Sequence, residues 1–340
     1  MQIQGKRLGL LVLVALLAAS ALGLWAAPGR PEAEGVESPK RLVGHTDRVD
    51  CLAITADGLR LLSAGGEGTV RLWDLAAGKA TLTITPPSIS LPRSDVVAMA
   101  MTPDGRLALG ASSDNIIRLW DLTADRERLR LVGHQAERGI SAVALSADGR
   151  RALTTSTDLT VRLWDLATGA ELRRFPQQTD VTALAFTPDG RRAISVGEEA
   201  TARLWEVETG RELVRFRGYP DHTDICSVAL SADGRLVLTG GERTARLWDV
   251  ATGRELRQFN HESLVLGVAL SADGRRAASV SRDDGMLRLW DAETGEPAGR
   301  FRHEEGLWSV ALSPDGRRAF TGDSVGVIRV WEWPTSPPAK

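Results

Sequence analysis

Five histidines, His45, His134, His222, His261 and His303, are the side chains with which this 340-residue chain could move protons or hold a metal near neutral pH. Serine, threonine and acidic residues follow them, so a histidine–hydroxyl–carboxylate relay for nucleophilic catalysis is the first chemistry to test. The only two cysteines, Cys51 and Cys226, are far apart in sequence, without the clustered spacing of a metal site, and too few for a disulfide framework. Neither a nucleophile elbow nor a Gly-rich phosphate loop is present. A catalytic set is needed once, whereas these residues recur along the chain, and that recurrence leads back to the elements that carry them.

The strongest recurrence is the stretch Thr160-Val161-Arg162-Leu163-Trp164-Asp165. Its tryptophan has counterparts at Trp73, Trp120, Trp205, Trp248, Trp290 and Trp331, with successive steps of 47, 44, 41, 43, 42 and 41 residues. A fixed period of this length marks a repeat architecture. Within the third copy, the apolar run Ile140 to Leu145 is followed by Ala147-Asp148-Gly149, then by Arg151 to Thr155, the Trp164 strand, and Glu171 to Phe175. These are four short strands. The Asp-Gly turns at Asp57, Asp104, Asp148, Asp189, Asp233, Asp273 and Asp315 join strand-forming runs, which makes each unit an antiparallel sheet. One small sheet cannot bury both faces, so seven units must stack around an axis, and the expected fold is an all-β seven-bladed propeller over residues 40–333.

The seventh unit ends at Trp333-Pro334, before a fourth strand. Pro39 to His45 resembles Arg128 to His134, so the N-terminal strand is expected to complete the last blade. Ahead of it, Leu8 to Ala27 carry no charge and follow Lys6 and Arg7, the pattern of one apolar helix serving as a transmembrane anchor. Ala19-Ser20-Ala21 equally offers a signal-peptidase site. Either way, residues 1–27 put the rest of the chain outside the cytoplasm, membrane-anchored if uncleaved and secreted or periplasmic if cleaved. Residues 28–39 read as a Pro- and Glu-rich linker and 334–340 as a flexible tail.

The order Gly-His, Ser/Ala-x-Asp-Gly, a Ser/Thr with a turn acid, then Arg-Leu-Trp-Asp resembles the WD-repeat family of β-propellers, over about residues 39 to 333. The resemblance implies a hydrogen-bonded tetrad in each blade, made of loop His, second-strand Ser/Thr, turn Asp and third-strand Trp. It implies His45, Ser63, Glu67 and Trp73 in blade one, and His134, Thr154, Asp158 and Trp164 in blade three. In blade five it implies His222, Thr239, Glu242 and Trp248, and in blade six His261, Ser279, Asp284 and Trp290. Blades two and four lack the His, and blade four would use Glu199. Blade seven has His303 and Thr321 but Val325 at the turn. All five histidines are thereby assigned to architecture, so no enzyme activity, cofactor or metal is expected.

A partner is then expected at the top face, where the inner strands begin. Arg48, Asp50, Asp95, Val97, Ser141, Thr157, Asp180, Thr182, Glu198, Asp224, Cys226, Leu264, Leu266, Asp283 and Trp308 fall there, and acids outnumber bases. Trp308 is the tryptophan that no repeat, anchor or terminus explains; with Leu264 and Leu266 it would form an apolar patch rimmed by carboxylates. Tyr219, in the lengthened loop Gly218 to His222, is a further contact candidate. The partner expected is another protein or peptide, basic or amphipathic, on a monomeric propeller acting as an interaction scaffold.

The rival class is an exported propeller enzyme or small-ligand binder using the central channel. Arg150-Arg151, Arg191-Arg192, Arg275-Arg276 and Arg317-Arg318 on the opposite face would form a basic ring. Net charge -2 and nearby acids argue against nucleic acid there.

Overall fold

The computed structural model describes residues 40–85, 96–112, 114–135, 139–177, 179–198, 200, 202–220 and 223–333. The apolar run, the linker and the C-terminal tail lie outside them, as do Asp95, Glu199 and His222. The described residues form 28 strands in seven four-stranded antiparallel sheets, with no helix long and apolar enough to cross a membrane.

Six sheets use consecutive strands. The seventh takes its outer strand from the other end of the chain: Lys40–Val43 pairs antiparallel with Val327–Glu332, Lys40 opposite Val330 and Val43 opposite Val327. Inner strands contact their neighbours all round, including Leu307–Leu312 of blade seven against Val49–Ile54 of blade one, so the ring is closed.

The core lies between blades rather than within them. Seven clusters each join two adjacent sheets; at the closure, Leu42, Phe320 and Ile328 pack on Val49, Leu61 and Trp73. This is why the second strands read as apolar runs while the outer strands alternate: Arg151–Ser156 is buried along nearly its whole length, whereas Arg126–Leu131 is exposed at every other residue. Inner-strand hydroxyls bridge blades as well. Ser309 Oγ donates to the Val49 carbonyl at 2.8 Å, and Thr182 Oγ1 donates to the carbonyl of Ile225. Thr182, expected at the rim, is therefore a blade-to-blade link.

Candidate functional site

In blade three the second strand (Arg151–Ser156) and third strand (Thr160–Asp165) face each other in register, which sets Thr154 and Trp164 on one side of the sheet. Trp164 Nε1 donates to Thr154 Oγ1 at 2.8 Å, and Thr154 Oγ1 lies 2.7 Å from His134 Nε2. His134 Nδ1 meets Asp158 Oδ2 at 2.9 Å. The ionised Asp158 carboxylate can only accept, which puts the proton of the neutral ring on Nδ1 and leaves Nε2 to accept from the Thr154 hydroxyl, which itself accepts from the indole. The chain of donors thus ends on Asp158, which also takes the Arg162 guanidinium at 3.1 Å and the Thr160 hydroxyl at 2.6 Å.

Burial opposes ionisation of Asp158, but hydrogen bonds from Thr160, His134 and Ser156 outweigh it and hold the carboxyl below its ordinary range. Burial lowers His134, against the pull of Asp158. The imidazole is neutral and saturated at both nitrogens, with its hydroxyl neighbour fully buried. This is a satisfied polar core rather than an accessible general base.

Blade one has the same order, with His45 between Ser63 (2.7 Å) and Glu67 (2.5 Å) and Trp73 on Ser63 at 2.8 Å. The longer acid fits because residue 65 is glycine: a Cβ there would lie 2.2 Å from Glu67 Oε2. In blade six His261 and Trp290 both reach Ser279 at 2.8 Å, but Asp284 is one step removed, accepting from Ser281 Oγ, which lies 3.3 Å from His261 Nδ1.

Blade five corrects the expectation most. Tyr219 is buried, at 8% exposure, with its hydroxyl 2.9 Å from Thr239 Oγ1, the atom that accepts from Trp248 Nε1 at 2.9 Å. Tyr219 therefore fills the histidine slot and is no rim contact. Glu242 is exposed and takes no part, and His222 lies outside the described residues. The signal was present in sequence: Gly218 precedes Tyr219 as Gly133 precedes His134, and a Cβ at either glycine would meet the same set of arginine, tryptophan and glutamate side chains. In blade two the hydroxyl slot is Gly110, and in blade four Trp205 Nε1 is buried without a partner.

Three repeated devices escaped the sequence reading. Each Asp-Gly turn is tied by a Ser or Thr two residues earlier, as in Ser146 Oγ to Asp148 at 2.6 Å. The Asp after most strand tryptophans caps the following turn, Asp165 Oδ1 accepting from Ala167 and Thr168 N–H at 2.9 and 2.8 Å. On the opposite face, Arg60, Arg276 and Arg318 donate to backbone carbonyls of the next blade's Asp-Gly turn, at 2.7 Å (Asp104), 2.9 Å (Gly316) and 2.9 Å (Gly58). Arg151 meets Glu208 at 2.6 Å. The expected basic ring is in these places used as clasps.

At the rim, Trp308 is partly exposed, and two guanidinium groups lie over its ring, Arg282 at 4.8 Å and Arg48 at 5.1 Å from the centroid. The carboxylate surround expected for Trp308 is thereby corrected, although Arg48 itself pairs with Asp50 at 2.7 Å. Arg282 was missed; its backbone N–H donates to the Leu264 carbonyl at 3.4 Å, bringing Leu264 alongside. Leu264 and Leu266 are half-buried. Asp180, Glu198 and Asp224 stand apart on blades four and five, where Glu198 N–H donates to the Asp180 carbonyl at 3.1 Å. Among the described residues no three His, Cys, Asp or Glu side chains converge as metal ligands. Burial pushes the Cys51 thiol up to about 12 and Cys226 to about 11, so neither is a reactive thiolate.

The sequence matches the family described as WD domain, G-beta repeat, over residues 37–74, 87–121, 126–165, 169–206, 211–249, 253–291 and 295–332, each segment closing on the acid after a strand tryptophan. Among curated proteins, THO complex subunit 6 homolog of Mus musculus is 47% identical over 45 residues and THO complex subunit 6 of Homo sapiens 49% identical over 43. Each alignment spans 13% of this chain and 13% of the relative, about the length of one repeat.

Proposed function

Since the chain belongs to the WD domain, G-beta repeat family, whose propellers serve as protein-interaction scaffolds, we propose that it is a non-enzymatic platform binding a protein or peptide at the rim where the inner strands begin. The observation that carries this is Trp308, a partly exposed aromatic whose ring carries two arginine guanidinium groups from neighbouring blades. A preordered aromatic loses little side-chain freedom on binding, and Trp with Arg is the composition of an interface hot spot. The partner expected is a segment of mixed charge: a carboxylate or carbonyl-rich part against Arg48 and Arg282, and a basic part over Asp180, Glu198 and Asp224. The uncharged run Leu8 to Ala27 behind Lys6 and Arg7 supports display outside the cytoplasm, as an anchored or exported protein.

THO complex subunit 6 is by its name a component of a complex; a likeness one repeat long supports shared architecture and does not extend to a shared assembly. The test is affinity capture with wild type and Trp308→Ala, each melted in parallel. Trp308→Ala is expected to weaken retention of a specific partner by at least about tenfold with an unchanged melting point. Equal retention, or unfolding of the variant, contradicts the rim assignment.

A further inference from the structure

The third strand of every blade carries an arginine two residues before its tryptophan, and the seven copies differ in how that charge is met. Arg118 pairs with Asp114 at 2.6 Å, Arg162 with Asp158 and Glu171 at 3.1 and 2.9 Å, and Arg203 with Glu212 at 3.6 Å. Arg246 pairs with Glu255 at 2.6 Å and Arg288 with Asp284 at 2.8 Å. Arg71 reaches the Thr83 hydroxyl at 3.4 Å, in a blade whose turn acid is Glu67.

Arg329 of blade seven is 9% exposed and has no ion pair among the described residues. The turn position that Asp158 fills in blade three is Val325, 52% exposed and turned to solvent. Its cross-strand neighbour is another cation: Arg41 stands opposite Arg329 as Arg174 stands opposite Arg162. In blade three Glu171 bridges that pair, at 2.9 Å from Arg162 and 3.0 Å from Arg174; the closing strand brings no such acid.

Three buried atoms of this blade have no hydrogen-bond partner: His303 Nδ1, Arg329 Nε and Asp323 Oδ2, although His303 is only 2% exposed and its Nε2 is engaged by Thr321 at 3.0 Å. The Nε of Arg71, Arg118 and Arg203 is likewise without a hydrogen-bond partner, so it is the open Nδ1 of His303 that sets this blade apart. Asp323 is the one acid buried in this blade's second strand. Its Oδ1 accepts from the backbone N–H of Val325 and Val327 at 3.1 and 2.8 Å, and it forms no ion pair with Arg329.

We propose that Arg41, Arg329 and His303 form an anion site in blade seven that takes one carboxylate or small tetrahedral oxyanion in the place that Asp158 and Glu171 occupy in blade three. An unmatched buried guanidinium is costly, so the site gains from any acceptor that fits it. Arg41 belongs to the strand that closes the ring, so occupancy fastens the closure. Two sources share this chemistry: Glu37, which precedes the closing strand in sequence, and a free anion such as inorganic phosphate.

The test is the melting point of the full chain, followed by tryptophan fluorescence, as sodium phosphate replaces sodium chloride at constant ionic strength. A free-anion site gives a saturable upward shift in wild type that Arg41→Gln loses, while Glu37→Gln leaves it intact. Occupancy by Glu37 gives a wild type insensitive to phosphate and a Glu37→Gln variant that melts lower and regains stability with phosphate. Val325→Asp, which restores the turn acid, raises the melting point and abolishes phosphate sensitivity in both cases. The site is overturned if phosphate acts equally on wild type and Arg41→Gln, if neither wild type nor Glu37→Gln responds to it, or if Val325→Asp gives no gain.

Discussion

In blade three His134 is held at both ring nitrogens, by Thr154 and Asp158, while in blade seven His303 is held at one, by Thr321 alone. Both blades keep the tryptophan–hydroxyl bond, at 2.8 Å for Trp164 and 2.9 Å for Trp331. What differs is the acid. Between the two copies the repeat has kept the groups that pack the sheet and lost those that finish its electrostatics. The loss falls where the outer strand comes from the opposite end of the chain. Architecture therefore tolerates an incomplete relay so long as the inter-blade core is intact, as it is around Leu42, Phe320 and Trp73.

The largest expected effect comes from removing that closure. Deleting residues 40–43 strips blade seven of its outer strand and uncovers Leu42's cluster, so the cooperative unfolding transition seen by circular dichroism should be lost; an unchanged transition would show that the ring closes otherwise.

Next in size is the hydroxyl at the centre of the relay. Thr154→Val leaves Trp164 Nε1 and His134 Nε2 unpaired at once and should cost about 2–4 kcal/mol in urea unfolding. Ser195→Ala in blade four should cost about 1 kcal/mol or less, because Trp205 Nε1 already lacks a partner there. Equal costs would remove the distinction between complete and incomplete blades.

The remaining effect is on pH dependence. Burial first, and then the Arg288 and Arg329 guanidinium groups respectively, lower His261 and His303 to about 3 from an ordinary 6.5. The unfolded chain therefore binds protons that the folded one refuses in that window. Their contribution is complete above 6.5 and is lost progressively as pH falls towards 3, by on the order of 1 kcal/mol per pH unit per histidine. Urea midpoints taken between about pH 7 and about pH 5 should fall, and His303→Gln should flatten the slope; a slope unaltered by that substitution would assign the protons elsewhere.

Much of this was legible in the residues. The spacing of Trp164 and its copies set the number and phase of the blades, and the likeness of Pro39–His45 to Arg128–His134 gave the closing strand, because both features are periodic and local. Tyr219 was misread because the loop was aligned on His222, when the glycine before the ring is the fixed point: only glycine lets the chain pass that close to the third-strand arginine and tryptophan. The stacking of Arg48 and Arg282 on Trp308 joins three blades, and no one-dimensional pattern carries a contact of that kind. The role of the third-strand arginine was missed for the opposite reason: it is present in every copy, and only its partners vary.

Amide hydrogen exchange resolved along the chain reads out whether the repeated His–hydroxyl–Trp relay is structural and whether its completeness sets the firmness of each blade. Second and third strands of blades one and three, Arg60–Gly65, Val70–Asp74, Arg151–Ser156 and Thr160–Asp165, are expected to stay protected longest, and those of blades two, four and seven to exchange sooner. Uniform protection around the ring, or slower exchange in Arg318–Asp323 than in Arg151–Ser156, would contradict it.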